Sequence, residues 1–507
     1  MPTAEKLAFS AAPWNRHAAL SCAEMRRAEE IAFAEGAKSF DMMKRASEAA
    51  ASLINQRFRT GRVLVLCGPG KNGGDGFIIA EALNRADWEV SIASMKPAEE
   101  LEGDAQQAAK NWWGKISMVT EAAFDNADLI VDALFGIGLT RPIEGLAAEA
   151  IQKMNQSRVP IVSVDLPSGL NGDSGTVMGC AVQAAMTVTF FRKKIGQLVM
   201  PGARLCGDLS VAEIGICDHV LDTIKPLIAG NDVDLWFDLY PFPKSDGHKY
   251  DRGHALIAGG GVMTGAGRLG ARAAQRIGAG LVSLAAPAKA LPIYANALES
   301  VMVHEVDSLA GWNELLAEKR RNAVLVGPGF GLGPLQKEFV LAALASGKPC
   351  VLDADALTNF AQTPDALFFK LNTHSVLTPH EGEFARLFGA RVDPTLGKIA
   401  RTREAAKIAG CIVLLKGADT VIADPDGRVV VNNNAPPWLA VGGAGDVLSG
   451  MILGLMAQGM HAFAAAAAAA WIHGSIATRF GPGLIAEDLV DGIPAILRGL
   501  SESRKSV

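Results

Sequence analysis

Short runs of aliphatic and β-branched residues alternate along the chain with longer stretches whose apolar positions recur every three or four residues. After a helical opening from Ala23 to about Phe58, the runs Val63–Cys67, Glu89–Met95, Leu129–Val131, Ile161–Val164, Thr187–Phe190 and Leu209–Glu213 read as strands. Near residue 215 the rhythm stops. The stretch Asn231 to Asp251 brings Pro241, Pro243, Gly247 and several charges, the signature of a linker and the entry to a new domain. Strand runs then resume at His254–Ala258, Leu281–Ala285, Val301–Val306, Ala323–Val326, Pro349–Leu352, Val376–Leu377 and Ile412–Leu415. Thr420–Ala423 and Val429–Val431 flank the turn Asp424-Pro425-Asp426-Gly427 and predict a hairpin. Helices follow from Gly445. Strands alternating with helices predict βαβ units and mostly parallel sheets. The expected division is a leader over 1–22, an α/β domain over 23–225 and a second over 226–507.

Composition narrows the class. A chain of 507 residues is long for one core, which agrees with two domains. With 48 basic against 53 acidic residues and no basic block, nucleic acid is not an expected partner. Seven scattered cysteines without a C-x-x-C pair point to a reducing, cytoplasmic setting, not to a disulfide frame or zinc site. The first residues lack an apolar core, because Pro13, Asn15, Arg16 and His17 interrupt it, so a loose leader is expected and no signal peptide. No apolar run reaches membrane-spanning length, and no membrane is expected as a partner. The patch Ala464 to Ala470 reads as a helix packed tightly on a sheet.

The loop Gly68-Pro69-Gly70-Lys71-Asn72-Gly73 follows the first strand and carries the spacing G-x-G-x-x-G. A dinucleotide fold of the usual kind also needs an acid at the end of the next strand, and Ala93-Ser94-Met95-Lys96 has none there. The carboxylates say more. Asp132 and Asp165 each follow a strand, so both belong with the glycine loop at the carboxyl edge of a parallel sheet, where such sheets bind ligands. Either Asp alone would be an ordinary turn residue; two facing a glycine loop predict a site.

The loop GPGKNGGDG, with VDALFGIGL and VDLPSGLNGDSG, resembles the YjeF N-terminal family, the NAD(P)H-hydrate epimerases, over roughly residues 20 to 215. The resemblance implies a Rossmann-like domain that interconverts the R and S epimers of NAD(P)H hydrated at nicotinamide C6. It implies hydrate contacts from Lys71, Asn72, Gly73, Gly74 and Asp75, from Gly136, Ile137, Gly138, Leu139, Thr140, Arg141 and Pro142, and from Asp165. It also implies a potassium ion on Asn72, Asp132 and Ser168. Lys71 stands where the family usually has Asn, and Lys44 replaces a usual Glu. Proton transfer at C6 needs an acid–base group, and Asp165 and Asp132 both remain open for it.

In the second half, Gly442-Gly443-Ala444-Gly445-Asp446 opens a helix, presenting amides and the positive dipole end to an anion. An Asp at that point can act as general base for an alcohol attacking phosphate. No G-x-x-x-x-G-K-[ST] is present, so this is not a P-loop. Lys416-Gly417-Ala418-Asp419-Thr420, Gly327-Pro328-Gly329-Phe330-Gly331, Asp353-Ala354-Asp355 and Thr378-Pro379-His380-Glu381 each follow a strand run. From His248 to Leu497 these motifs resemble the ribokinase-like superfamily, and the DADAL, LTPHEGE and KGADT runs narrow it to the ADP-dependent NAD(P)H-hydrate dehydratases. The resemblance implies contacts of Ala266, Gly329, His380 and Asp446 with the S-hydrate, and of Lys416 to Thr420 and Gly445 with the adenine nucleotide, with Mg²⁺ on its phosphates. Ala444 replaces the commoner Thr of the glycine motif.

Together these readings make the nicotinamide dinucleotide the substrate and not the reagent. Epimerisation feeds the S-hydrate to a dehydratase that spends ADP, giving AMP and phosphate, in an expected homo-oligomer. Two rivals stand beside it: a ribokinase-like kinase of a small hydroxymethyl vitamin precursor, and a nucleotide-binding regulator without turnover.

Overall fold

The computed structural model describes residues 9–122 and 124–505. Two units emerge: Asn15–Ile228, and Ala229 onward together with the described residues up to Trp14.

The stretch expected as a leader is structured. Ala11–His17 forms helix α1, and Phe9 and Trp14 are buried with their rings 5.7 Å apart. Phe9 also meets Phe463 at 5.1 Å, so both rings belong to the core of the second unit. Burying two aromatic side chains removes enough apolar surface from water to fix a short segment. Ala19–Leu20 pairs in parallel with Lys193–Lys194 as a two-stranded ribbon of the first unit. The helical opening is two helices, α2 (Cys22–Ala34) and α3 (Ser39–Arg57), interrupted at Gly36. Ser21 and Glu24 close a capping box that starts α2.

The first unit holds a seven-stranded sheet: β1 (Arg62–Cys67), β2 (Glu89–Ser94), β3 (Ile116–Met118), β4 (Leu129–Ala133), β5 (Ile161–Val164), β6 (Met186–Phe190) and β7 (Asp208–Ala212). The order is β3-β2-β1-β4-β5-β6-β7, and every neighbour runs parallel. Strands β4, β5 and β6 are buried along their whole length, as a sheet covered on both faces requires. The strand order reverses between β1 and β4, which opens a crevice at their carboxyl ends. Helix α4 (Lys71–Arg85) leaves β1 directly into that crevice.

The second unit carries ten strands: β8 (Ile228–Gly230), β9 (His254–Ala258), β10 (Leu281–Ala286), β11 (Met302–Glu305), β12 (Ala323–Val326), β13 (Cys350–Leu352), β14 (Ser375–Leu377), β15 (Ile412–Leu415), β16 (Thr420–Ala423) and β17 (Val429–Asn432). Their order is β8-β17-β16-β15-β14-β13-β12-β9-β10-β11, parallel from β15 to β11. Strands β15, β16 and β17 form an antiparallel edge that contains the expected hairpin. Here the order reverses between β9 and β12. The helices that frame the site are α5 (Thr264–Arg276), α6 (Glu381–Phe388) and α7 (Ala444–Ala457), with α8 (Ala462–Phe480) packed on α7 and on β16. Ala464 to Ala470 are all buried on α8, since methyl side chains let a helix lie close to its neighbours. Part of the expected linker is core: Val233–Trp236 is helical and Trp236 is fully buried.

Candidate functional site

In the first unit the crevice deepens into a cavity of about 450 Å³. Of the expected contacts, Lys71, Asn72, Asp75, Gly136, Ile137, Gly138, Leu139 and Asp165 line it. Gly73 and Gly74 lie behind the wall, packed on Gly68 and Met43, while Thr140, Arg141 and Pro142 continue outward as an exposed loop. At Gly136 a side chain is excluded: a Cβ there would stand 2.8 Å from Asp165 Oδ2 and 3.4 Å from Asn72 Oδ1. The loop therefore brings its backbone against both polar groups at once.

Asp165 follows β5 with φ 66, a left-handed conformation that Asp tolerates better than most side chains. Its Oδ1 lies 2.7 Å from Lys194 Nζ and accepts from Thr189 Oγ1 at 3.2 Å. Its Oδ2 accepts from Ile137 N at 3.2 Å. Lys194 is 1% exposed and also donates to Phe190 O, so the ion pair is enclosed and its donors are used. Lys194 lines the cavity and was not anticipated from the sequence, where it is one of three consecutive basic residues.

Asp132 has a different role. It is fully buried and does not line the cavity; Ser163 Oγ, Ser168 N, Ser168 Oγ and Leu134 N all donate to it, at 2.6–3.3 Å. Burial pushes its carboxyl up, and the bonds from Ser168 oppose that shift. With four donors in place it organises the strand ends and does not face a substrate. Of the two carboxylates left open for the acid–base role, only Asp165 lines the cavity. Asp132 and Ser168 meet at 2.6 Å, while Asn72 turns its Oδ1 toward Gly136 and leaves a buried Nδ2 without a hydrogen-bond partner.

In the second unit several motifs converge on Lys416. Its Nζ is 2.7 Å from Asp353 Oδ1 and 3.9 Å from Glu383 Oε2, and it lies 3.4 Å from where a Cβ on Gly445 would stand. Burial alone would lower its pKa, but Asp353, Glu383 and Asp446 outweigh burial and raise it. Gly443 caps α7 with φ 89, a conformation glycine adopts without strain. Asp446 sits in the first turn of α7, where burial and then Asp353 raise its pKa to about 6 against the opposing pull of Lys416.

Asp419 is held by Lys398 at 2.8 Å, and Thr420 Oγ1 closes a turn on Gly417 O at 2.9 Å, while Gly417 and Ala418 stay exposed. Asp355 Oδ2 accepts from Gly331 N at 2.8 Å, tying the loop after β13 to the loop after β12. Those loops and the ones after β9 to β11 enclose a second cavity of about 470 Å³, lined by Gly329 and Asp355. Ala266 packs against Gly329. His380 does not line this cavity. It caps α6, its Nδ1 accepting from Gly382 N at 2.9 Å, with a side chain 55% exposed. Residues the sequence did not single out are Lys398, Asn359, which accepts from Gly333 N, and His473, buried on α8 with a pKa lowered by burial to about 4.

Comparison with known proteins agrees with this division. The NAD(P)H-hydrate dehydratase family profile matches residues 254–491, and the YjeF-related N-terminal profile matches 39–196. A bifunctional NAD(P)H-hydrate repair enzyme of Moorella thermoacetica is 35% identical, over 96% of this chain and 98% of its own. The enzyme of that name from Escherichia coli is 34% identical, over 94% and 93%. A solved ADP/ATP-dependent NAD(P)H-hydrate dehydratase of Bacillus subtilis, 26% identical, aligns with a TM-score of 0.45 over 54% of this chain and 98% of its own. Identity at this level over nearly the whole length, with both profiles in order, decides the matter: the chain belongs to the family of bifunctional NAD(P)H-hydrate repair enzymes.

Proposed function

We infer that the chain repairs hydrated nicotinamide cofactor at two separate sites. The reading is carried by two sheets of like strand order, one ending in a cavity with Asp165 and Lys194, the other in Asp446 beside a glycine turn. The first site equilibrates the R and S hydrates; the second acts on the S-hydrate with ADP.

At the second site Asp446, with a pKa of about 6, is mostly ionised at neutral pH and takes the proton of the C6 hydroxyl. The hydroxyl oxygen attacks the β-phosphorus of ADP, AMP departs, and loss of phosphate from C6 restores NAD(P)H. The amides of Gly443 to Gly445 and Lys416 face the transferring group, in a place where charge builds up. Asp353, Asp355 and Glu383 offer the oxygen type that Mg²⁺ takes, which when bound would neutralise phosphate charge. Lys416 to Thr420 and Gly445 are the proposed nucleotide contacts, and Ala266, Gly329 and His380 the hydrate contacts.

At the first site Lys194 holds the Asp165 carboxylate toward the cavity. Asn72, Asp132 and Ser168 are hard-oxygen donors of the type potassium takes. The orphaned Asn72 Nδ2 shows that no neighbour on that side fixes the amide. Asp132 can join such an ion once the Ser168 hydroxyl turns its hydrogen elsewhere. A bound cation would lock the loop after β4 against the loop after β1. Its test needs no turnover: the first unit should melt higher in KCl than in NaCl of equal strength, and equal melting would remove the ion. The seven cysteines are free thiols, in keeping with a cytoplasmic setting.

The decisive assay incubates the chain with separated R and S hydrates and ADP and follows the absorbance of reduced nicotinamide. Both epimers should be consumed, with AMP released. A stable phosphate ester of a small alcohol would favour the vitamin-precursor kinase, and ADP binding without turnover would favour the regulator.

A further inference from the structure

The cavity of the first unit holds a second aspartate in an environment opposite to that of Asp165. Asp75 lines the same cavity from α4, is 9% exposed, and has no cationic partner within ion-pair distance among the described residues. Its Oδ1 is 3.0 Å from Ser47 Oγ of α3. Ser47 Oγ also donates to Met43 O at 2.8 Å. A hydroxyl carries one hydrogen and a carbonyl can only accept. With that hydrogen on Met43 O, the contact between Asp75 and Ser47 is satisfied by a proton on Asp75. The net balance agrees: burial pushes the carboxyl well up, and Asp165 and Glu29 add to that, outweighing the Ser47 hydrogen bond and Lys71, which favour the ionised form.

We propose that Asp75 is the general acid of the epimerase site, a neutral carboxyl group that passes its proton to the C6 hydroxyl and takes it back. This rests on the epimerase reading given above. The step balances without a further reagent. Asp75 protonates the C6 oxygen, the C6–O bond breaks, and water leaves with the bonding pair. The N1 lone pair forms N1=C6, and the Asp165 carboxylate offsets the resulting positive charge. Water then adds to the other face of C6, the N1=C6 pair returns to nitrogen, and the added water returns a proton to Asp75. While Asp75 is ionised, Ser47 can swing its hydrogen from Met43 O to Oδ1, so one rotating hydroxyl serves both states. With Asp75 buried without a cationic partner among the described residues and Asp165 paired with Lys194, the two aspartates divide the acid and the charge-stabilising roles.

The test uses the full-length chain without ADP, starting from pure R-hydrate and reading the S:R ratio with time. Asp75→Asn keeps shape and polarity but cannot transfer a proton, so epimerisation should fall by about 10²–10⁴. ADP-dependent dehydration of S-hydrate by the same variant should be unchanged, and calorimetry should show its first unit melting as in wild type. Wild-type epimerisation should fall as pH rises through the raised Asp75 pKa. Ser47→Ala, which removes the hydroxyl that stabilises the carboxylate, should slow the reaction and move this alkaline limb upward. In H₂¹⁸O each epimerisation should place ¹⁸O on C6. Wild-type activity with an Asp75→Asn rate within about threefold would overturn this assignment alone. Epimerisation without ¹⁸O uptake would overturn the water-loss step. No epimerisation by wild type would instead overturn the reading of the whole first site.

Discussion

The two units reach similar crevices by the same route, a parallel sheet whose strand order reverses, yet their carboxylates are set up in opposite ways. Asp165 is clamped to an enclosed lysine 2.7 Å away. Asp446 has its nearest lysine engaged by Asp353, and is left with a pKa raised to about 6. The first arrangement pairs a carboxylate with an enclosed lysine, and the second leaves a carboxyl group that titrates close to neutrality. The same architecture thus serves both the epimerase and the dehydratase half, and the side chains set around each crevice make the difference.

The strongest way to break this comparison is Asp446→Ala. The glycine amides stay, so ADP should still bind, while repair of S-hydrate falls by about 10²–10⁴ and epimerisation is untouched. Near wild-type dehydration would reduce Asp446 to a helix-terminus acid, and joint loss of both activities in a folded protein would argue for one shared site. Next comes Lys194→Met, which strands the buried Asp165 carboxylate. Removing one partner of a buried pair costs about 3–5 kcal/mol. Calorimetry should show the first unit melting earlier and epimerisation lost, with dehydration of S-hydrate retained at temperatures below that transition.

The third test is pH. A base that must be ionised loses rate below its pKa, so dehydration should fall about fivefold between pH 6 and pH 5. Stability moves the other way. The folded pKa of Asp446 lies above its unfolded value, so its contribution is greatest at low pH and is lost as pH rises through about 6. Asp446→Asn is therefore expected to melt above wild type at pH 8, a gain in stability at the expense of activity. The smallest effect is Lys71→Asn. Lys71 is 63% exposed and its Glu29 partner is 3.9 Å away, so the pair is worth about 0–1 kcal/mol and should alter hydrate binding only a few-fold, with kcat unchanged.

The strands that carry the sites were legible because each holds a buried aliphatic run with its glycines or acids at the carboxyl end, as in Ala323–Val326 and Ile412–Leu415, although Asp132, expected after its strand, lies within Leu129–Ala133. Strand β3 was not, since Ile116, Ser117 and Met118 are only half-buried and the edge position gives no run. Strand β8 escaped because its three residues pair at the edge of the second sheet, far along the chain from their partner β17. In the sites, Asp165 and Asp446 were legible from position alone. The burial of Lys194 was not, because nothing in Arg192-Lys193-Lys194 tells which side chain turns inward. Asp132 looked equivalent to Asp165 by spacing, and only the four donors around it separate them.

The ribbon that joins Ala19–Leu20 to Lys193–Lys194 bears on where this chain can be cut. Lys194 is held at the backbone by that pairing, and Arg192 Nε reaches Asn15 O at 2.7 Å. A truncated first unit that begins at residue 23 would keep its whole seven-stranded sheet but expose one side of the strand that aims Lys194. Such a fragment should fold and still work poorly. One that begins at Asn15 and ends at Ile228 keeps the ribbon, and those are the ends from which to express the epimerase half alone.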